Sequence, residues 1–248
     1  MPVLRKTWIL RHAKATLDVV SSLAVIVAAV VLTWTLVRNR TDSSEVASGA
    51  PGRAPVEDVS GLWIDAAKIT NVQGEGRAVI VEFSDFQCPF CGRHARDTFP
   101  AIERDIIKAG RARYIAFHFP LDGIHPLALK AGEAAECAAR QGRFWEMHER
   151  LFADTNALAP TELVRHADAI GLDKERFEAC LAGEALEKVR ADQAEGRRLG
   201  VMGTPSFFLG TMRGDGGVDL VRRIGGIATI ETFEEEIAKL APKQALGR

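Results

Sequence analysis

Apolar positions recur along the chain with two different periods, separated by one long linker-like stretch. Val79–Phe83 is a run of β-branched and aromatic residues ending at Ser84 and Asp85, the pattern of a buried strand that leaves into a loop. Tyr114–Phe119 reads as a second strand after a helix expected from Cys88 towards Lys108, stopped by Gly110 and kinked at Pro100. Two strands joined by a helix make a parallel β–α–β unit. From Pro126 to Gly200 the period becomes helical. Leu127–Gln141, Phe144–Phe152, Glu162–Ile170, Lys174–Leu181 and Glu184–Leu199 are amphipathic stretches punctuated by Gly142, Pro160, Gly171 and Gly183. Strands return at Ser206–Leu209 and Val218–Ile224 around a Gly-rich turn over Gly210–Gly217, and Ile230–Leu240 predicts a closing helix before a fraying tail, Ala241–Arg248. Leu62–Ile64 suits an edge strand, followed by a turn at Gly74–Gly76.

The first part of the chain differs in kind. Val19–Val37 holds no charged residue, and at about 1.5 Å per residue it matches the thickness of a bilayer's hydrocarbon core. Arg5, Lys6, Arg11 and Lys14 precede it, whereas Arg38 and Arg40 alone follow closely, so the positive-inside rule puts residues 1–18 in the cytoplasm and exports the rest. Trp34 suits the outer interface. A cleaved signal peptide is the competing reading, but the small-residue site at Ala47–Gly49 lies well beyond the apolar run. The sequence thus predicts a transmembrane helix at 19–37, a Ser/Gly/Ala/Pro-rich linker at 38–60 and one α/β domain over 61–242. A net charge of −1 and the lack of a basic patch interleaved with aromatics argue against a nucleic-acid partner.

The chemistry gathers where the first strong strand ends. Cys88-Pro89-Phe90-Cys91 begins the predicted helix, with Pro89 in the first turn, where its missing N–H costs nothing. First-turn amides lack intrahelical partners and favour negative charge, so Cys88 is expected to ionise readily and Cys91, one turn deeper, to act as the resolving thiol. A lone CxxC can also be half of a zinc site, but no second CxxC or HxxxH pair accompanies it. Glu82, inside the apolar strand, is placed to exchange a proton with Cys91 if it is buried; on a half-exposed strand it would face solvent instead. His118 and His125 read as surface or cap residues, and Arg93 and His94 as cationic groups near Cys88.

The segment FSDFQCPFC, with Glu82 six residues before the first cysteine, and Gly203-Thr204-Pro205 ahead of a strand resemble the DsbA-like thiol:disulfide oxidoreductases of the thioredoxin superfamily. The resemblance covers about residues 60–240 and implies a thioredoxin fold with a helical bundle inserted at about 126–200. It also implies a cis peptide bond before Pro205 beside the dithiol, with Thr204 offering its backbone to substrate, and a site comprising Cys88, Cys91, Glu82, Pro89, Phe90, Thr204 and Pro205. No bound cofactor or metal is implied. Substrates would be exported cysteine-containing proteins, and a membrane enzyme of the DsbB or vitamin K epoxide reductase type would reoxidise the pair, with the catalytic domain on the periplasmic side of a bacterial inner membrane. Phe90 stands where the best-known oxidases have histidine, and Thr204 where they have valine, which leaves an isomerase or reductase as the second reading. A membrane-tethered binding or chaperone module is a third. Cys137 and Cys180 fall on apolar faces of the inserted helices. Two spare cysteines in an exported protein are expected to pair, as in some members of this family, although two separate buried thiols fit the same pattern.

Overall fold

The computed structural model describes residues 54–240, together with residues 33 and 34. The rest of the expected anchor at 19–37, most of the expected linker and the tail after Leu240 lie outside the described residues. Among the described residues, no helix is long and apolar enough to cross a membrane.

A six-stranded sheet runs in the order β1-β6-β5-β3-β4-β2. Its strands are β1 (Val56–Ile64), β2 (Asn71–Gln73), β3 (Ala78–Ser84), β4 (Ala112–His118), β5 (Ser206–Met212) and β6 (Val218–Gly225). β3 and β4 are parallel, as the sequence predicts, and β5 flanks β3 antiparallel with Glu82 opposite Phe207. β1 begins at Val56, within the stretch read as linker to residue 60. Its alternation is weak because it is an edge strand, mostly exposed, with a bulge between Asp58 and Leu62 where it pairs with β6.

All seven residues of β3 are buried. The sheet is covered on both faces, so period-2 alternation carries no inside–outside information there. Ile80, Tyr114, Phe207 and Leu209 pack on one face with Phe233 of the last helix, while Val79, Val81, Phe83, Ile115, Phe117 and Phe208 pack on the other. Glu82 shares the first face.

The segment after β3 is one helical run, α1 (residues 89–107), interrupted by two wider turns. Pro100 has no N–H to offer the preceding turn, and the Phe99 N–H reaches back five residues to the carbonyl of His94. The expected kink is therefore a widened turn over His94–Thr98, beside the dithiol. The inserted bundle comprises α2 (Ala128–Ala139), α3 (Phe144–Ala153), α4 (Pro160–Ala169), α5 (Lys174–Ala179) and α6 (Leu186–Arg198), and α7 (Ile230–Leu240) closes the chain. Phe144, Phe152 and Phe177 fill the bundle core, and Cys137 on α2 is bonded to Cys180 just after α5.

The turn expected within Gly210–Gly217 forms at its Gly-Asp-Gly-Gly run and is shorter than the whole stretch. Gly210 is a residue of β5, and the chain reverses over residues 213–217. A Cβ on Gly210 would lie 2.0 Å from the carbonyl oxygen of Asp219, so glycine permits close approach of β6 at this point.

Candidate active site

Cys88 and Cys91 are free thiols at the start of α1, both buried, in the seam where the sheet meets the bundle. Cys88 is the residue before the first helical turn, with extended backbone, and Pro89 follows in the first turn. Asp85 fixes this geometry from the strand exit. Its Oδ1 accepts the N–H groups of Gln87 (2.7 Å) and Cys88 (3.1 Å), and its Oδ2 accepts the N–H of Leu121 (2.8 Å) and faces His125 Nδ1 at 2.8 Å. The Gln87 side-chain oxygen accepts the N–H of Leu127 at 2.8 Å. One buried carboxylate thereby ties the dithiol loop to the chain leaving β4. Sequence reasoning passed over Asp85, although an Asp three residues ahead of the residue that caps a helix is a common turn-forming signal.

The peptide bond between Thr204 and Pro205 is cis. The Thr204 carbonyl lies 3.4 Å from Cys88 Sγ and accepts the thiol's hydrogen, while Thr204 Oγ1 is buried without a hydrogen-bond partner. Phe90 is 54% exposed and Met202 is 90% exposed, so large apolar side chains stand in solvent on both segments that flank the thiol.

The two thiols are strongly unequal. Cys88 is drawn down to about 5, first by the hydrogen bond from the Cys91 thiol, against burial, and then by the Cys91 and Phe90 amides. The helix-start amides on which the sequence argument rests therefore come after the neighbouring thiol. Cys91 is pushed well above the ordinary thiol range by burial, by the Cys88 thiolate and by the charge of Glu82.

Glu82 is 1% exposed, which removes the solvent-facing alternative. Burial raises its carboxyl to about 7, against the lowering effect of the hydrogen bond from Tyr114. Tyr114 Oη donates to Glu82 Oε2 at 2.8 Å. His94 does not serve as a cation near Cys88. It is buried among Phe207, Phe233 and Phe99, and burial depresses it to about 3, so it is neutral. Arg93 is exposed and sits over the Phe90 ring.

His118 is not a surface residue. Its Nε2 lies 2.8 Å from Glu136 Oε1 and its N–H donates to Asp192, in a buried cluster that also takes in Asn71 and Lys188. Burial opposes ionisation of Glu136, but the hydrogen bond and charge of His118, with Lys188, hold it at about 2. His118, Glu136 and Asp192 are the group among the described residues whose ligand atoms approach closely enough to hold a metal ion, within 4.8 Å of one another. Asn71 Nδ2 also donates to Glu136 Oε1 and Lys188 Nζ to Asp192 Oδ1, so the cluster carries its own countercharge and donors.

The family model described as thioredoxin matches residues 69–219. The chain belongs to the thioredoxin family. Its neighbours among solved structures are DsbA-like thiol:disulfide oxidoreductases. Among solved structures it is similar to α-DsbA1 of Wolbachia pipientis, with 25% identity, a TM-score of 0.58 and coverage of 68% of this chain and 89% of that one. It is also similar to a thioredoxin-like oxidoreductase from Silicibacter pomeroyi, with 25% identity, a TM-score of 0.55 and coverage of 68% and 90%. BdbD of Bacillus subtilis in its oxidised form shares the fold at 24% identity and a TM-score of 0.62, over 74% of this chain and 97% of that one. Curated relatives include a Na(+)/H(+) antiporter NhaA 3 of Salinispora tropica, 38% identical over 143 residues. That match spans 57% of this chain but 21% of the antiporter, so about a fifth of the relative's length is shared.

Proposed function

We propose that this DsbA-like enzyme is a membrane-anchored oxidase that introduces disulfides into exported proteins through Cys88 and Cys91. The inequality of the two thiols carries the reading. A thiolate at Cys88 is stable in the reduced enzyme and a good leaving group from a mixed disulfide, which favours passing the disulfide on to a substrate. In the forward reaction a substrate thiolate attacks Cys88 Sγ of the oxidised pair. The bond to Cys91 breaks, Cys91 leaves with the electron pair, and Glu82 supplies its proton. A second substrate thiolate then attacks the substrate sulfur of the mixed disulfide and releases Cys88 as thiolate. The substrate loses two electrons and the enzyme gains them. Reoxidation runs the pair backwards on a membrane partner of the quinone-linked kind, with Glu82 taking the proton from Cys91. The Thr204 backbone beside the cis bond would pair with the substrate chain, and exposed Phe90 and Met202 would receive its apolar side chains. The uncharged Val19–Val37 segment supports the bilayer as the tether and a periplasmic or otherwise extracytoplasmic placement of the domain. Antiporter activity is not carried over from relatives of which so small a part is shared.

Phe90 and Thr204 favour a second reading, isomerase or reductase, because they remove features that accompany strong oxidants in the family. Two measurements decide. The Cys88–Cys91 couple is expected at a potential of about −180 mV or higher, and a value near −270 mV, that of thioredoxin, would contradict oxidase function. A Cys91→Ala variant in cells is expected to accumulate mixed disulfides with exported proteins through Cys88. A Cys88→Ser variant that keeps full cellular function would point to a binding or chaperone module instead.

A further inference from the structure

We propose that His94 and Tyr114 form a neutral, one-directional chain of hydrogen-bond donors that holds Glu82 ready to accept the proton of Cys91, and are positioning residues of this site. The inference rests on the function proposed above and deepens it. Residues 82, 94 and 114 come from β3, α1 and β4, and all three are at most 1% exposed. Tyr114 Oη lies 2.8 Å from Glu82 Oε2 and 3.2 Å from His94 Nε2.

Hydrogen bookkeeping fixes the direction. A tyrosine hydroxyl has one hydrogen, and a neutral imidazole has one N–H. If Tyr114 donates to the carboxylate, His94 must donate through Nε2, which leaves Nδ1 as a bare acceptor. His94 Nδ1 is buried and has no hydrogen-bond partner in the structure. In the reverse direction Tyr114 would donate to Nε2, the imidazole hydrogen would move to Nδ1, and a buried N–H would have no acceptor. An orphaned buried donor is the rarer and costlier state, so the chain runs from His94 to Tyr114 to Glu82.

The arrangement stabilises the carboxylate without lending it a positive charge. The other groups facing this pocket are Ser84 on the same strand and the two thiols of α1. From β5 the neighbour is Phe207, which is uncharged, and His148 of α3, near His94, is held neutral by burial. A lysine in place of Tyr114 would hold the carboxylate permanently ionised, whereas a neutral donor leaves it able to gain and lose a proton near neutral pH. The proton of Cys91 Sγ–H passes to the carboxylate as Cys91 attacks a mixed disulfide, and it returns when Cys91 next leaves.

The test is an infrared titration of the Glu82 carboxyl in the reduced protein, with Glu82→Gln as the blank, alongside the pH profile of the Cys91-dependent step. Tyr114→Phe is expected to raise carboxyl proton affinity about tenfold, one pH unit upward. It should slow the attack of Cys91 on a mixed disulfide by a similar factor at neutral pH. His94→Phe should shift the midpoint in the same direction but less, and His94→Gln, which keeps a donor, should restore it. A midpoint and profile unmoved in a folded Tyr114→Phe protein would overturn the proposal. Should that variant fail to fold, the nitrogen NMR shifts of His94 in the unaltered protein decide. A hydrogen on Nε2 is expected, and one on Nδ1 would overturn the chain. The carboxyl midpoint is readable without turnover, so an unaltered protein that exchanges no disulfides would refute the proposed function while leaving this measurement to judge the donor chain separately.

Discussion

Cys88 is acidic chiefly because Cys91 donates a hydrogen bond to its thiolate, with the first-turn amides adding to this and burial working against it. Replacing Cys91 with Ala should therefore raise the Cys88 midpoint above about 5 as well as trap substrates, and ultraviolet thiolate absorbance reads the shift. An unchanged midpoint would mean that the amides suffice alone. Glu82 makes the reduced fold sensitive to pH in the opposite sense from a paired surface carboxylate. Its folded value, about 7, lies above its ordinary 4.5, so the native state binds the extra proton. The resulting stability is fully present below about pH 4.5 and is lost as pH rises through about 7, by about 3 kcal/mol. Glu82→Gln should remove this dependence, and denaturant unfolding at pH 5 and pH 8 checks it. Equal slopes against pH in both proteins would contradict the assignment.

At the scale of elements, the widened turn over His94–Thr98 and the close crossing of β5 and β6 are local answers to single residues. Pro100 withholds an N–H and Gly210 withholds a Cβ. Gly210→Ala should cost about 1–3 kcal/mol, seen as a lower denaturant midpoint at unchanged slope. A midpoint equal to that of the unaltered protein would contradict the packing of β6 on β5. The strand before Cys88, the helix after it and the bundle were legible in the sequence because each has its own period and its own breakers. The start of β1 was not, since an exposed edge strand such as VEDVSGLWI has polar residues on both faces and resembles a linker. Nor were the partners of Glu82. Residues 82, 94 and 114 meet only through the register of β3 with β4 and the path of α1, and nothing local to Tyr114 or His94 marks them. His118 was misread for the same reason, because its partners Glu136 and Asp192 come from helices distant in sequence.

Among the described residues, the sheet and the helical bundle meet at one site. The sheet and α1 present the dithiol and its carboxyl, and the bundle closes over them with its own cross-link. The Cys137–Cys180 bond closes a loop with a sequence separation of 43, for which chain entropy predicts a contribution of about 4 kcal/mol. Cys137→Ala with Cys180→Ala should lower the unfolding free energy by about that amount and leave the Cys88 midpoint in place. A matching shift in that midpoint would show that the cross-link shapes the site as well as the fold. Everything proposed about direction and substrate depends on a thiolate at Cys88 in the folded, reduced protein at neutral pH. Titration of thiolate absorbance, with Cys88→Ser as the blank, tests this most directly: a midpoint at about 5 is expected, and an ordinary cysteine value of about 8.5 would contradict it.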